Sequence, residues 1–310
     1  MSLYARLKPN GPSGFGYGST AADVVAGLSL GGKTILVTGC NSGLGLETMR
    51  ALASRGAHVL GAARTLDKAR DACGSIGGKA TGFACELADP ASVRGCVAAV
   101  KAQGVKLDAI VANAGIMALP ELKQAFGYEL QFFTNHIGHF ILVTGLLDAL
   151  AEDGRVVMLS SAAHASAPAG GIEFDNLSGQ GGYKAWTAYG QSKFANLLFA
   201  KELARRFAGT ARTANAVHPG VIMDTNLTRN MNFPRPLAAA AIGLANLAVL
   251  KTIPQGAATQ CYAAAHPAAA KISGQYLANS NLAQPRADAN DPALATRLWE
   301  VSEKIVSGLG

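Results

Sequence analysis

The chain has few charged and few aromatic residues: Asp, Glu, Lys and Arg make up 15% of its 310 residues, and Phe, Trp and Tyr make up 6%. The formal net charge is +7, but the basic residues are scattered and no cluster of basic and aromatic side chains accompanies them. A nucleic-acid-binding surface is recognised by such a cluster. We therefore expect no nucleic-acid partner, while the 49% hydrophobic content is ample for one large domain with a buried core.

Paired cysteines and long apolar runs are also missing. The five cysteines have neither the spacing of a metal or redox motif nor the even number of a disulfide framework, which favours a reducing compartment. The segment 1–8 has no continuous apolar core that would serve as a signal peptide, so we expect a cytoplasmic protein. The longest apolar run, 237–250, contains Asn246 and is shorter than the roughly 18 residues of a membrane-spanning helix.

A glycine-rich turn follows the strand-like run Thr34–Thr38 and precedes an amphipathic run from Leu44 to Ala53. Glycines let the backbone turn sharply and approach a pyrophosphate, while the N–H groups and positive dipole end of the next helix favour the anion. Tight strand–helix packing is the alternative explanation of these glycines. We predict a dinucleotide-binding turn formed by Thr38, Gly39, Asn41, Ser42, Gly43, Leu44 and Gly45.

Tyr189 and Lys193 are four residues apart in a helix-like stretch from about 185 to 207, so their side chains share one face. An ammonium beside a phenol favours the phenolate and brings proton exchange closer to neutral pH. The pair is not alone: Ser160–Ser161 and Asn113–Gly115 each follow a strand-like run. Such strand ends are where open α/β sheets bind ligands.

Seven strand-like runs alternate with helical patterns, near 34–38, 57–62, 79–84, 107–112, 154–160, 211–217 and 274–277. This alternation predicts a single α/β domain with a Rossmann-like, doubly wound parallel sheet of about seven strands flanked by helices. Right-handed crossovers place the ligand crevice where the strand order reverses, beside the first strand.

From about Gly32 to Leu277 the chain resembles the short-chain dehydrogenase/reductase family, because several motifs occur in the family's order. They are the turn at 38–45, Asn113–Gly115, Asn135, Ser161, Tyr189 with Lys193, and Pro219–Gly220 with Thr225. Four segments make it similar to the retinol-dehydrogenase-like branch: Asn135–Phe140, Ser160–His164, Ser192–Asn196 and Val217–Val221. The long gap between Ser161 and Tyr189 also fits that branch.

The resemblance implies hydride transfer between a nicotinamide and a carbonyl carbon, with Tyr189 as the general acid in reduction and the base in oxidation. Ser161 would bond to the substrate oxygen. Neighbouring strand residues point to opposite sides, so we expect only one of Ser160 and Ser161 to face the crevice, and we choose Ser161 by analogy with the family. Lys193 would hold the nicotinamide ribose and lower the pKa of Tyr189, and Asn135 would position a proton-relaying water. We expect an alcohol dehydrogenase or carbonyl reductase.

The end of the second strand bears on the choice of cofactor. In NAD-binding proteins an acidic residue about twenty positions beyond the turn accepts the ribose hydroxyls. Here Ala63 fills that position and Arg64 offers a guanidinium suited to a 2′-phosphate, so we expect NADP(H) to be preferred and NAD(H) to be possible. An Arg64 that is merely solvated is the alternative, and Asp67 is close enough to complicate the argument.

The resemblance assigns further cofactor contacts. Glu86 and Leu87 stand where relatives commonly have an aspartate that contacts adenine, and Asp89 is a candidate substitute. The other implied contacts are Asn113, Ala114, Gly115, Pro219, Gly220, Val221 and Thr225.

The predicted domain organisation has two parts. Residues 1–30 form an N-terminal arm with a short helix opened by a capping box at Thr20–Asp23, and this arm would cover the cofactor or contact a neighbouring subunit. Residues 31–310 form the Rossmann-fold catalytic domain, with a substrate-covering segment at about 225–253. The apolar character of that segment suggests an apolar aldehyde, ketone or alcohol as substrate, a subunit contact or peripheral membrane contact being the alternatives.

Several alternatives stay open. A homodimer or homotetramer is expected by family analogy, with helices near 120–150 and 185–207 as candidate contact faces. His136, His139 and His164 suggest a metal site, but no third ligand has a suitable context, so we expect helix packing and no metal. A catalytically silent NADP-binding sensor or scaffold is the competing function. Epimerase or dehydratase chemistry on a nucleotide sugar fits poorly with the short substrate segment.

Overall fold

A computed structural model describes residues 2–222 and 250–309. The strands are β1 (Thr34–Thr38), β2 (His58–Ala63), β3 (Ala80–Ala84), β4 (Leu107–Ala112), β5 (Gln124–Ala125), β6 (Tyr128–Glu129), β7 (Leu150–Leu159), β8 (Thr213–His218), β9 (Tyr276–Ala278) and β10 (Asn281–Ala283). Within the two described ranges, then, strands lie where all seven strand-like runs were predicted.

Helices separate most successive strands. They are α1 (Leu3–Leu7), α2 (Ala21–Val25), α3 (Gly43–Ala53), α4 (Leu66–Ser75), α5 (Pro90–Lys101), α6 (Leu130–Phe132), α7 (Gly138–Gly145), α8 (Ala185–Arg206), α9 (Ile253–Ala265) and α10 (Pro292–Ser307). A π-helical turn, Phe133–Ile137, joins α6 to α7, and short 3₁₀ turns occupy Ala162–Ser166, Phe174–Asn176, Pro267–Ala269 and Ala287–Asn290. None of the helices described in these ranges is long and apolar enough to cross a membrane.

The main sheet has the strand order β10-β9-β8-β7-β4-β1-β2-β3. All neighbouring strands are parallel except β9 and β10, which pair antiparallel. The order reverses at β1, which lies between β2 and β4, so the ligand crevice is expected at the carboxyl ends of these strands. The doubly wound parallel sheet is confirmed. The eighth strand, β10, was not predicted, because a three-residue edge strand carries too little periodicity to be recognised.

Both faces of the sheet are covered, which explains why β1 is buried along its whole length. Successive side chains of a strand point to opposite faces. Leu36 accordingly joins the core under α5, α7 and α8, with the buried rings of Phe133 and Phe194. Ile35 and Val37 point the other way, into the core under α3 and α9. The sheet therefore holds the carboxyl end of β1 rigidly from both sides.

The C-terminal helix α10 covers the outer surface of α7 and α8. The Trp299 ring lies 5.0 Å from the ring of Phe140 and 5.5 Å from that of Phe199, and the Arg206 guanidinium stacks over it at 3.9 Å. Its start is the predicted one, with Asp291 as the cap and Pro292 in the first turn. This part of α7 and α8, regarded from sequence as a candidate subunit contact, is therefore buried by the chain's own helix.

The N-terminal arm lies against its own chain. The predicted capping box at Thr20 and Asp23 is present and opens α2. Farther upstream, the backbone of Ser13 and of Phe15 is hydrogen-bonded to the Asn281 amide at 3.0 and 2.9 Å, and Gln255 donates to the carbonyl of Gly18 at 3.2 Å. The arm thus joins α9 and β10 to the start of the domain.

Replacing Trp299 tests how much α10 contributes to the domain. Trp299→Ala removes a ring that is only 6% exposed, and we expect a loss of about 3–5 kcal/mol in the free energy of unfolding. Urea denaturation followed by circular dichroism measures it. The matched control is Trp186→Ala, since Trp186 is 47% exposed and its loss should cost less than about 1 kcal/mol. Equal losses in the two variants would show that α10 packs only weakly.

Candidate active site

The glycine-rich turn leaves β1 and enters α3 at the reversal point of the sheet. Gly39 has a φ of +68°, which favours glycine, and a Cβ at Gly45 would lie 2.2 Å from the carbonyl oxygen of Gly39. No side chain fits at position 45. The N-terminus of α3 therefore packs directly on the backbone of the turn and leaves free N–H groups facing the crevice, which is the arrangement that binds a pyrophosphate.

Thr38 connects this turn to the next strand. Its hydroxyl accepts the backbone N–H groups of Asn113 and Ala114, each at 3.0 Å, and the Asn113 side chain donates to the carbonyl of Thr38 at 2.8 Å. The same hydroxyl lies 2.9 Å from Nε2 of His139, whose Nδ1 lies 2.9 Å from the carbonyl oxygen of Asn135. Because that carbonyl only accepts, Nδ1 carries the ring proton and the Thr38 hydroxyl donates to Nε2.

A cleft of about 330 Å³ opens at these strand ends. Twelve residues predicted to contact a cofactor line it: Thr38, Gly39, Asn41, Ser42, Gly43, Leu44, Arg64, Glu86, Leu87, Asn113, Ala114 and Gly115. The tight glycine turn and this lining fit a dinucleotide. Asp89, the candidate substitute for an adenine contact, caps α5 by accepting the N–H of Ala91.

Tyr189 and Lys193 share a face of α8, with the Lys193 ammonium 5.8 Å from the centre of the Tyr189 ring. That ammonium donates to the carbonyl of Leu159 at 3.0 Å. The Ser161 hydroxyl accepts the N–H of Ala163 at 3.2 Å and is near enough to the Tyr189 phenol to lower the pKa of that phenol. Ser160 points the other way, and its buried hydroxyl donates to the carbonyl of Lys193 at 2.8 Å. The structure therefore places Ser161, and not Ser160, beside the tyrosine.

Asn135 lies in the π-helical turn, and its side chain is fully used. Its amide nitrogen donates to the carbonyl of Ile116 and to the Ser192 hydroxyl, each at 2.9 Å, and its oxygen accepts the N–H of Ile116 at 2.8 Å. A Cβ at Gly115 would lie 2.9 Å from that oxygen. The contacts of Ile116 were not predicted from the sequence, because its backbone groups make them and every residue type has these groups.

The pKa of Tyr189 differs from the expectation. Burial raises the pKa of Tyr189 to about 12, and the nearby Ser161 hydroxyl, which acts in the opposite direction, offsets this rise only in part. Burial also lowers the pKa of Lys193 to about 8. The lysine was expected to lower the pKa of the tyrosine, but its ammonium is directed at the carbonyl of Leu159, and the loss of hydration outweighs any charge effect on the phenol. Tyr189 is therefore a phenol at neutral pH.

Four cofactor contacts were predicted after β8, namely Pro219, Gly220, Val221 and Thr225. Gly220 has a φ of +94°, and a Cβ there would meet the Lys251 side chain at 2.6 Å, while Val221 is 53% exposed. Pro219 lies between them and the strand end. Residues 223–249 lie outside the described residues. They include Thr225 and nearly all of the substrate-covering segment predicted at about 225–253.

The histidines considered as metal ligands point in different directions. His139 faces Thr38, whereas Nε2 of His136 is 2.8 Å from the Ser302 hydroxyl on α10. Nδ1 of His164 lies 2.6 Å from the carbonyl oxygen of Ser161. In the described ranges, no three His, Cys, Asp or Glu side chains are grouped so that they could hold a metal ion. The rings take part in packing and hydrogen bonding within the chain.

Comparison with known proteins adds a family to this geometry. A model of the short chain dehydrogenase family matches residues 33–235. Short-chain dehydrogenase TIC 32 A, chloroplastic, from Brassica napus is 39% identical over 324 residues, with all of both chains covered. Retinol dehydrogenase 14 from Homo sapiens is 35% identical, with 89% of this chain and 86% of its own covered. The crystal structure of a short chain dehydrogenase from Burkholderia cenocepacia with NADP superposes with a TM-score of 0.64 at 26% identity, covering 81% of this chain and 97% of its own.

The two fully buried histidines of this region make stability depend on pH. Burial lowers the pKa of His136 to about 3 and that of His139 to about 4, whereas an unfolded histidine titrates near 6.5. Between these values the unfolded chain binds more protons, so the free energy of unfolding falls as the pH drops below about 6.5. From pH 7 to pH 5 we expect each ring to account for a loss of about 2 kcal/mol.

Urea denaturation at pH 7, 6 and 5 measures this loss. His139→Asn serves as the comparison, because it removes one titrating ring, so its stability should fall less steeply over the same range. A wild-type stability that does not change between pH 7 and 5 would contradict the assigned neutral rings.

Proposed function

Because the chain belongs to the short-chain dehydrogenase family, in its retinol-dehydrogenase-like branch, we propose that it is an NADP(H)-dependent oxidoreductase that interconverts an apolar aldehyde or ketone and its alcohol. The observation that carries the proposal is the grouping of three side chains: the Ser161 hydroxyl, just beyond β7, acts on the Tyr189 phenol, and Lys193 lies one helical turn away with its ammonium 5.8 Å from the tyrosine ring. A hydroxyl pair of this kind binds a carbonyl oxygen from two directions and supplies a proton to it.

The proposed roles follow from what each group is able to donate. Ser161 would hydrogen-bond to the substrate oxygen and hold it against the Tyr189 phenol. With its pKa raised to about 12, Tyr189 is protonated at neutral pH, which is the state needed to donate a proton to the developing alkoxide in carbonyl reduction. A bound reduced nicotinamide supplies the hydride. Lys193, with its pKa lowered to about 8, would hold the nicotinamide ribose through its remaining N–H groups.

Asn135 would support the same site through hydrogen bonds to the surrounding backbone and side chains. Its side chain already bonds to Ile116 and Ser192, which fixes the helix that carries Lys193 relative to the wall of the cleft. We propose that a water bonded near Asn135 returns protons to Tyr189.

Arg64 supports a preference for NADP(H). It is exposed, follows β2 directly and lines the cleft, while the position of an acidic ribose ligand is taken by Ala63. A guanidinium binds a phosphate in a bidentate manner and has no such partner in NAD(H). The NADP complex of the Burkholderia cenocepacia relative is consistent with this choice.

An apolar substrate is the second inference from the comparisons. The name of the relative retinol dehydrogenase 14 refers to an apolar alcohol. The residues of the run 237–250 in this chain, apart from Asn246, are themselves apolar and would suit an apolar substrate. A cytoplasmic location and a homodimer or homotetramer stay predictions from the sequence. The competing proposal, a silent NADP-binding sensor or scaffold, predicts nucleotide binding without turnover on any carbonyl.

Replacing Tyr189 decides between these proposals. Tyr189→Phe should leave the Kd for NADPH within about twofold and lower kcat by at least about a hundredfold, because only the acidic hydroxyl is lost. NADPH oxidation is followed by absorbance with a panel of apolar aldehydes and ketones. Tyr128→Phe on β6 is the control that removes a hydroxyl elsewhere and should retain full activity. Turnover retained in Tyr189→Phe would refute the role, and a wild type that binds NADPH but reduces no carbonyl would favour the sensor.

Replacing Arg64 tests the cofactor preference. Arg64→Ala should weaken the Kd for NADP(H) by tenfold or more, since a charged hydrogen bond contributes about 1.5–3 kcal/mol, and change that for NAD(H) less than about twofold. Fluorescence titration with both nucleotides measures the two constants. Arg70→Ala on α4 is the matched control, because it removes the same charge from an exposed position. Equal weakening for both nucleotides would mean that Arg64 does not contact the phosphate.

A further inference from the structure

The peptide group between Ser161 and Ala162 is held from two sides by histidine rings. Its N–H, which belongs to Ala162, donates to Nδ1 of His218 at 3.1 Å. Its carbonyl oxygen, which belongs to Ser161, lies 2.6 Å from Nδ1 of His164. A carbonyl oxygen only accepts, so this nitrogen of His164 carries a proton. Both polar atoms of one peptide group are therefore bonded to side chains from other parts of the loop and sheet.

Each ring also accepts a backbone N–H group, which requires that the ring is neutral. Nδ1 of His218 accepts and so has no proton, while Nε2 of His164 accepts the backbone N–H of Arg286 at 3.1 Å. Burial, with the nearby Lys251 and His164, lowers the pKa of His218 to about 4. Burial also lowers the pKa of His164. Arg286 acts in the same direction, and the bond to Ser161 and the Asp288 carboxylate oppose it. The required protonation states therefore prevail at neutral pH.

Fixing this peptide fixes the direction of the Ser161 hydroxyl. The orientation of the peptide plane sets ψ of Ser161, which is 158° in an extended conformation. The residue before it is already held, since the Ser160 hydroxyl is bonded to the carbonyl of Lys193. The Ser161 hydroxyl accepts the N–H of Ala163 at 3.2 Å, so a rotation of the 161–162 peptide would move this donor and change the direction of the hydroxyl. A displacement of about 1 Å in a reacting group costs on the order of a hundredfold in rate.

We propose that His218 is a positioning residue for the Ser161 hydroxyl, acting through the N–H of Ala162 and opposite to His164. The proposal rests on the proposed role of Ser161 in carbonyl reduction. His218 ends β8, whose backbone pairs with β7 up to Leu159 and Val217. The pairing of these two strands therefore places the His218 ring beside the segment that follows β7. The sheet register thereby sets the catalytic geometry.

Two substitutions at position 218 separate the effect of the hydrogen-bond acceptor from the effect of losing the ring. His218→Leu removes the acceptor, whereas His218→Asn places its side-chain oxygen close to where Nδ1 lies. His58→Leu is the control: this histidine is also bonded, to Thr81 at 2.9 Å, but it begins β2, which is separated from β8 by β1, β4 and β7. Three quantities are measured for each variant: the rate of hydrogen–deuterium exchange of the segment 161–166, the Kd for NADPH, and kcat with the best carbonyl substrate.

We expect His218→Leu to speed exchange of 161–166 by at least about tenfold and to lower kcat by about tenfold to a hundredfold, with the Kd for NADPH unchanged within about twofold. His218→Asn should restore most of the slow exchange and most of kcat, and His58→Leu should change neither the exchange rate of 161–166 nor kcat. Faster exchange with unchanged kcat overturns the proposal, and so does a fall in kcat without a local change in exchange.

The two proposals fail in different ways. If the wild type reduces no carbonyl, the proposed function fails, and exchange still shows whether His218 holds the loop. If the wild type is active and His218→Asn is as impaired as His218→Leu, the function stands and the positioning role of His218 is wrong.

Discussion

The hydroxyl of Thr38 joins three elements at the point where the strand order reverses. It accepts two backbone N–H groups that follow β4, at Asn113 and Ala114, and donates to the ring of His139 on α7. A hydroxyl has one donor and two acceptor positions, and all are used here. Since a buried polar group without a partner costs about 1–3 kcal/mol, only a short hydroxyl side chain satisfies this junction. The shape of the cleft depends on it.

The same bonds continue from the nucleotide turn towards the proposed chemistry. His139 donates to the carbonyl of Asn135, and the Asn135 side chain bonds to Ile116 on the cleft wall and to Ser192 beside Lys193. Asn135 belongs to a π-helical turn, a rare form that often occurs at functional sites. Binding and chemistry are thus placed on one hydrogen-bonded unit.

The sequence allowed the parallel sheet and most of the cleft to be predicted, because buried strands, glycine turns and four-residue spacings leave marks in residue type. It did not show β10, nor the hairpin of β5 and β6, because elements of two or three residues have no measurable period. It did not reveal that Trp299 covers α7 and α8 either. A helical pattern shows that one face is apolar, but not which partner buries that face.

The protonation of Tyr189 shows a second limit of spacing arguments. The separation of four residues between Tyr189 and Lys193 places both side chains on one helix face, but it does not show how well either side chain is hydrated. Both side chains are buried, so each resists its charged form, and the phenol and the amine move towards neutrality together. The histidines around them behave in the same way, since each uses an unprotonated ring nitrogen as an acceptor. At neutral pH the phenol and the histidine rings are therefore neutral, whereas Lys193, with a pKa of about 8, keeps its ammonium, which donates to a carbonyl group. The proton that the reaction would use is stored on the phenol, and hydrogen bonds rather than ion pairs set its position.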